Sequence, residues 1–189
     1  LAVPPRLEKF IGKDNRYLDL YTCRQPFSRF DIGPDGEVHV CCGHWLPTSI
    51  GNFITEEMES VLNSTKAKKI RQSVLDGSFR YCNHLDCGAM AQDALPLKEE
   101  AQRELSADPA DLDLYSTKSV EHILFAFDQS CNLSCPSCRT HRIVEKASDS
   151  QHKVRAIETK LVPLLPKLKT LNLNPAGELL ASRPSRKLL

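Results

Sequence analysis

Eight cysteines constrain this 189-residue chain more than any other feature, because they fall in close sets at positions 23, 41, 42, 82, 87, 131, 135 and 138. A short spacing lets one loop turn several sulfurs inward toward a metal centre. An even number of cysteines in a secreted chain would instead suggest disulfides. The opening residues, Leu1-Ala-Val-Pro-Pro-Arg6, show no basic stretch followed by an apolar one. No secretory signal is read there, so a reducing, cytoplasmic compartment is expected. Cys41 and Cys42 are adjacent and cannot readily bond to each other, which leaves at least one of them spare.

Charge and apolar runs exclude two broad classes of partner. Lys and Arg number 25 against 24 Asp and Glu, a formal charge of +1, so the electrostatic footprint of a nucleic-acid binder is missing. Crossing a bilayer takes about 18 consecutive apolar residues. The longest run in the strand-like stretches is Ile123–Phe127, so no membrane partner is expected. Hydrophobic residues at 41% are enough for a core.

The cysteines divide the chain into two parts, residues 1–95 and 119–189, with a connecting region at 96–118. In the first part, Phe30–Ile32 and Val38–Cys41 alternate apolar with polar around Gly33-Pro-Asp-Gly36, which predicts a β-hairpin that delivers Cys41 and Cys42. Thr55 before Glu56 and Glu57 reads as a helix N-cap. A Lys-rich helix is expected from about Thr65 to Asp76, stopped by Gly77 and followed by Cys82 and Cys87. Pro96 opens a short helix through Leu105, broken by Ser106–Pro109. In the second part, Glu121–Phe127 reads as a buried strand that runs into Cys131-Asn-Leu-Ser-Cys135-Pro-Ser-Cys138. A helix from about Ser150 to Leu161, ended near Pro163 and Pro166, precedes a strand at Thr170–Leu173. Strand, loop, helix and strand open a βαβ series, and hence an α/β fold.

Three thiols at Cys131, Cys135 and Cys138, spaced C-x3-C-x2-C, suit an iron–sulfur cube with one iron left open to a small molecule. His141 offers the alternative of completing a zinc site. For the first set, a four-cysteine zinc site, with His44 or His84 as substitute ligands, is the corresponding alternative.

The strand Ile123–Phe127 followed by Cys131-Asn-Leu-Ser-Cys135-Pro-Ser-Cys138 resembles the opening of a radical S-adenosylmethionine enzyme. The strand Thr170–Leu173 leading into Asn174-Pro-Ala-Gly177-Glu178 is similar to that family's Gly-Gly-Glu segment. Two positions depart from the pattern: Ser137 stands where the family usually carries an aromatic residue, and Pro175-Ala176 precede Gly177. The resemblance implies a 4Fe–4S cluster on Cys131, Cys135 and Cys138, with S-adenosylmethionine as cosubstrate contacted by Gly177 and Glu178. Cys23, Gly36 and Cys41, with Cys82 and Cys87 beyond, resemble the SPASM and shorter twitch domains. Those domains imply an auxiliary 4Fe–4S cluster, here on Cys23, Cys41, Cys82 and Cys87, with Cys42 spare.

The implied architecture is the start of a partial (βα)6 barrel preceded by a small α+β SPASM/twitch-like metal-binding domain. A (βα)8 barrel takes about 250 residues and six units about 190. Only about 70 residues follow Glu121, so a fragment or an unfinished barrel is expected, inactive alone. The implied activity is reductive cleavage of S-adenosylmethionine to a 5′-deoxyadenosyl radical, acting on a peptide or protein and fed by a donor such as flavodoxin or ferredoxin. A non-catalytic iron–sulfur electron carrier and a zinc-binding interaction module are the alternatives.

Overall fold

In a computed structural model of the chain, the described residues are Leu18, 20–43, 45–100, 120–146, Ser148, 150–173 and 177–189. Strands β1 (Arg29–Ile32) and β2 (Glu37–His39) form the expected hairpin, antiparallel with Asp31 opposite His39 and Ile32 opposite Val38. Its reversal requires a glycine: Gly36 has φ +81°, and a Cβ there would stand 2.8 Å from Ile54 Cγ1 and 2.9 Å from Asn52 Oδ1. Strand β3 (Gly51–Asn52) lies antiparallel on β2.

Strand β4 (His122–Phe125) joins the other edge of β1 in parallel, and β5 (Thr170–Leu173) joins β4 in parallel. The five strands form one mixed sheet in the order β3-β2-β1-β4-β5. The architecture is therefore mixed α/β, with an antiparallel half from the first set of strands and a parallel half from the last two. The connection from β4 to β5 carries helix α5, as a βαβ unit requires.

The helices in chain order are α1 (Gln25–Ser28), α2 (Met58–Leu62), α3 (Thr65–Leu75), α4 (Gly88–Ala91) and α5 (Gln151–Ala156). Helix α3 follows the expected span. Ser64 caps it by accepting from the Ala67 N–H at 3.3 Å, and its buried stripe is Ala67, Ile70, Arg71 and Val74. One helical expectation needs correction. Thr55 is not an N-cap, because Asn52 Oδ1 accepts from the Ile54 and Thr55 N–H groups and holds that stretch as a turn; α2 begins later, with Glu57 at its cap. The helix after Ser150 reaches Leu161 as expected but changes type on the way: α5 widens into a π turn at Ile157–Leu161, and a 3-10 stretch at Val162–Lys167 carries on through Pro163 and Pro166. Pro163 lacks an N–H, and a change of hydrogen-bond spacing carries the chain through it. Residues 98–100 are helical, and the rest of the stretch expected to run to Leu105 lies outside the described residues.

One core unites both ends of the sequence: Phe30, Ile32 and Val38 of the hairpin pack with Ile123, Phe125, Phe127 and Ile157. Phe53 meets Phe125 and Phe127 edge-on, with centroids 6.0 and 5.6 Å apart. A second, smaller cluster, Leu18, Val74, Phe79 and Met90, lies under Cys23, Cys82 and Cys87. Phe125 is fully buried at the meeting point of hairpin and second strand pair. Phe125→Ala is expected to lower the unfolding free energy by about 3–5 kcal/mol, read as a fall in the urea midpoint.

Candidate metal centres

Four thiols are carried to one end of the sheet. Cys23 precedes α1, whose Pro26 sits in the first turn, and α1 leads into the first residue of β1. The antiparallel register of the hairpin, continued past His39, sets Cys41 level with Arg29 at that same end. Beyond α3 the chain reverses through Gly77 and through Phe79, whose φ of +44° is unusual for a bulky side chain. Burial of the Phe79 ring holds that conformation, and the Cys82 N–H donates to the Phe79 carbonyl at 2.9 Å. Cys87 caps α4, its N–H donating to the Asn83 carbonyl, while Asn83 N–H reaches the Trp45 carbonyl.

These thiols share one electrostatic environment. Burial pushes the Cys23 thiol up to about 12, and the nearby Cys41 and Cys87 add to the shift. Burial likewise raises Cys82 to about 12, with Cys23, Cys87 and Cys41 contributing. Cys41 rises less, to about 11, because a hydrogen bond from the Cys42 backbone and the Arg29 guanidinium oppose its burial. Arg29 is held by both oxygens of Asp31, at 2.8 and 3.0 Å. Buried thiols that stay protonated when alone become thiolates only against a compensating cationic centre. Among the described residues, no three His, Cys, Asp or Glu side chains stand close enough to hold a single metal ion. The set is thus gathered within electrostatic reach but not to single-ion coordination distance.

Of the substitute ligands expected for this set, His84 has its Nε2 3.0 Å from the Phe79 carbonyl, and His44 lies outside the described residues. Cys42 lies within electrostatic reach of Arg29 beside Cys41.

The other three thiols leave the opposite end of the sheet. β4 is parallel to β1, so the segment after Phe125 emerges beyond Ile32, away from Cys41. The four residues of β4 alone separate the two sets by about 10 Å. The Cys131–Cys138 segment is a surface loop: Cys131 is partly buried, and Cys135 and Cys138 are exposed. It turns where the Cys138 and Arg139 N–H groups both donate to the Cys135 carbonyl, and it closes where Cys131 N–H meets the Ile143 carbonyl at 2.8 Å. Arg139 donates to Cys138 Sγ at 3.6 Å and to the Gln129 carbonyl at 2.7 Å. That thiol contact raises the guanidinium pKa, and Cys131 and Cys135 add weaker electrostatic contributions. His141 is exposed and its Nδ1 lies 3.2 Å from Thr140 Oγ1.

Gly177 and Glu178 are brought onto the root of this loop. Glu178 N–H donates to the Ser130 carbonyl at 2.8 Å. A Cβ on Gly177 would stand 2.5 Å from the Ser130 carbonyl oxygen and 3.0 Å from that of Asp128, so only glycine permits the approach. Asn174, Pro175 and Ala176 lie outside the described residues. Sequence reading missed Arg29 and Arg139. The position of Arg139 directly after Cys138 was a usable signal, whereas Arg29 becomes relevant only through strand register. Gly177→Ala is expected to break the Glu178–Ser130 contact, with faster hydrogen exchange at the Glu178 amide and an unfolding free energy lower by about 1–3 kcal/mol.

Comparison with known proteins adds one finding. No curated protein matches the chain, and no solved structure does either. Residues 23–88, about a third of the chain, match the SPASM family, an iron–sulfur cluster-binding domain. That segment begins at Cys23 and ends just past Cys87, so it contains all four thiols gathered at the hairpin end of the sheet.

Proposed function

We propose that this chain is the cluster-bearing part of a radical S-adenosylmethionine enzyme, with an auxiliary 4Fe–4S cluster on Cys23, Cys41, Cys82 and Cys87 and a second on Cys131, Cys135 and Cys138. The observation that carries the reading is the packing of Gly177 and Glu178, at the exit of β5, against the root of the cysteine loop at the exit of β4. Two segments far apart in sequence meet at one end of a parallel strand pair, where open α/β sheets bind their ligands.

The donor sets fit the groups assigned to them. Thiolates are soft ligands suited to zinc or iron–sulfur centres. When bound, the cluster on the loop supplies one-electron cleavage of the cosubstrate to a 5′-deoxyadenosyl radical, chemistry beyond ordinary side chains. The chain's own residues do the positioning. Gly177 lets the backbone come within contact of Ser130, and the Glu178 N–H donates to the Ser130 carbonyl, so that in this reading Glu178, held at the root of the loop, would accept from the cosubstrate's amino group. Exposed Cys135 and Cys138 leave the loop open to a small molecule, while Cys23, Cys41, Cys82 and Cys87 are each partly buried. The auxiliary set stands at the far end of the sheet, which favours passing electrons over touching the substrate.

The substrate in this reading is a peptide or protein, the electron donor a protein such as flavodoxin or ferredoxin, and the compartment the cytoplasm. No helix among the described residues is long and apolar enough to cross a membrane.

Low-temperature electron paramagnetic resonance of the anaerobically reduced protein, with and without S-adenosylmethionine, tests the reading. One cluster signal is expected to shift on adding the cosubstrate and to vanish in Cys135→Ala, while the other persists in both. A signal indifferent to the cosubstrate would make the chain an electron carrier, and a silent, zinc-containing sample would make it a structural metal protein.

A further inference from the structure

Beneath the Cys131–Cys138 loop lies an ion pair that the proposed reaction does not require. Lys153, on α5, is an unusual lysine: its side chain is 8% exposed, and it sits 5.4 Å over the Phe127 ring. Its ammonium donates to the Phe127 carbonyl at 2.9 Å and to Glu145 Oε1 at 2.6 Å. Phe127 precedes the first cysteine of the loop and Glu145 follows the last, so one side chain joins the two ends. The Glu145 N–H donating to Ser130 Oγ at 3.0 Å reinforces the closure.

A second carboxylate lies at the root of the loop. Asp128 is fully buried, with Oδ1 accepting from the Ser130 N–H at 2.7 Å. Asp128 Oδ2 and Glu145 Oε2 are buried without hydrogen-bond partners. Burying a lysine is costly, and a helix position that merely needed packing would be filled by an apolar residue.

We propose that the buried Lys153–Glu145 pair is a positioning device that closes the cysteine loop and sets the reduction potential of the cluster it holds. The proposal rests on the reading above, since it needs a redox-active centre on Cys131, Cys135 and Cys138. The physical basis is charge: each electron added to the cluster makes it more negative, so a nearby cation raises the potential and a nearby anion lowers it.

The test is a redox titration of the full chain, reconstituted anaerobically with iron and sulfide and followed by electron paramagnetic resonance. The loop's signal is the one lost in Cys135→Ala, and the other cluster, at the far end of the sheet, is the internal reference. Lys153→Met is expected to shift the loop midpoint downward and Glu145→Gln upward, with Lys153→Arg near wild type and the reference unmoved. Opposite signs separate charge from scaffolding, because a purely structural tie loosens the loop either way. Midpoints that move in the same direction, or not at all, overturn the proposal while leaving the reading intact. If Lys153→Met fails to hold its cluster, the upward shift in Glu145→Gln and retention in Lys153→Arg decide in its favour, and their absence decides against it. Wild-type protein with zinc on these thiols overturns the reading and the proposal together.

Discussion

Parallel pairing of β1 with β4 joins a hairpin near one end of the sequence to a strand that arrives long after it, and both thiol sites depend on that join. The register, Arg29 with His122 through Ile32 with Phe125, lines up Phe30, Ile32, Ile123 and Phe125 as buried residues of one sheet. The pairing also covers an edge, because β1 without β4 would present unpaired backbone groups that invite association. The same pairing fixes which thiols can meet. Because β2 runs against β1 and β4 runs with it, Cys41 and Cys131 leave the sheet at opposite ends. A centre that stabilises either end draws on the core shared by both, so loading one set favours the folded state that presents the other.

The elements written in local pattern were legible. The alternation around Gly33–Gly36 marks the hairpin, the run from Thr65 stopped at Gly77 marks α3, and Thr170–Leu173 is a strand with the expected bounds. What escaped depends on partners distant in sequence. Nothing near Arg29 announces that β1 will take β4 as a parallel neighbour, because that choice is made by matching buried faces after collapse. The turn at Asn52 defeated the Thr55 cap for a similar reason: a side chain fixed by strand β3 claimed the N–H groups that a helix start would have left open. Lys153 is the sharpest case. A lysine between His152 and Val154 on a short helix reads as solvated, and only the fold shows the loop ends that it joins.

The candidate sites were more legible than the fold around them, because thiol chemistry restricts spacing tightly while strand pairing does not. Cysteine positions separate the two sets directly, yet their different environments come from packing alone. The first set lies on a small core of Leu18, Val74, Phe79 and Met90, and burial holds the Cys23, Cys41 and Cys82 thiols protonated well above their ordinary range when no cation compensates. The second set has no such cover. Cys135 and Cys138 face solvent, Arg139 lies beside Cys138, and Ser130 at the root of the loop accepts from the Glu145 N–H. A cover of side chains over that loop would protect the sulfurs and block access to them. An open loop on a tightly tied root keeps access and still fixes where the sulfurs stand, and Gly177, Glu145 and Lys153 all act at the root.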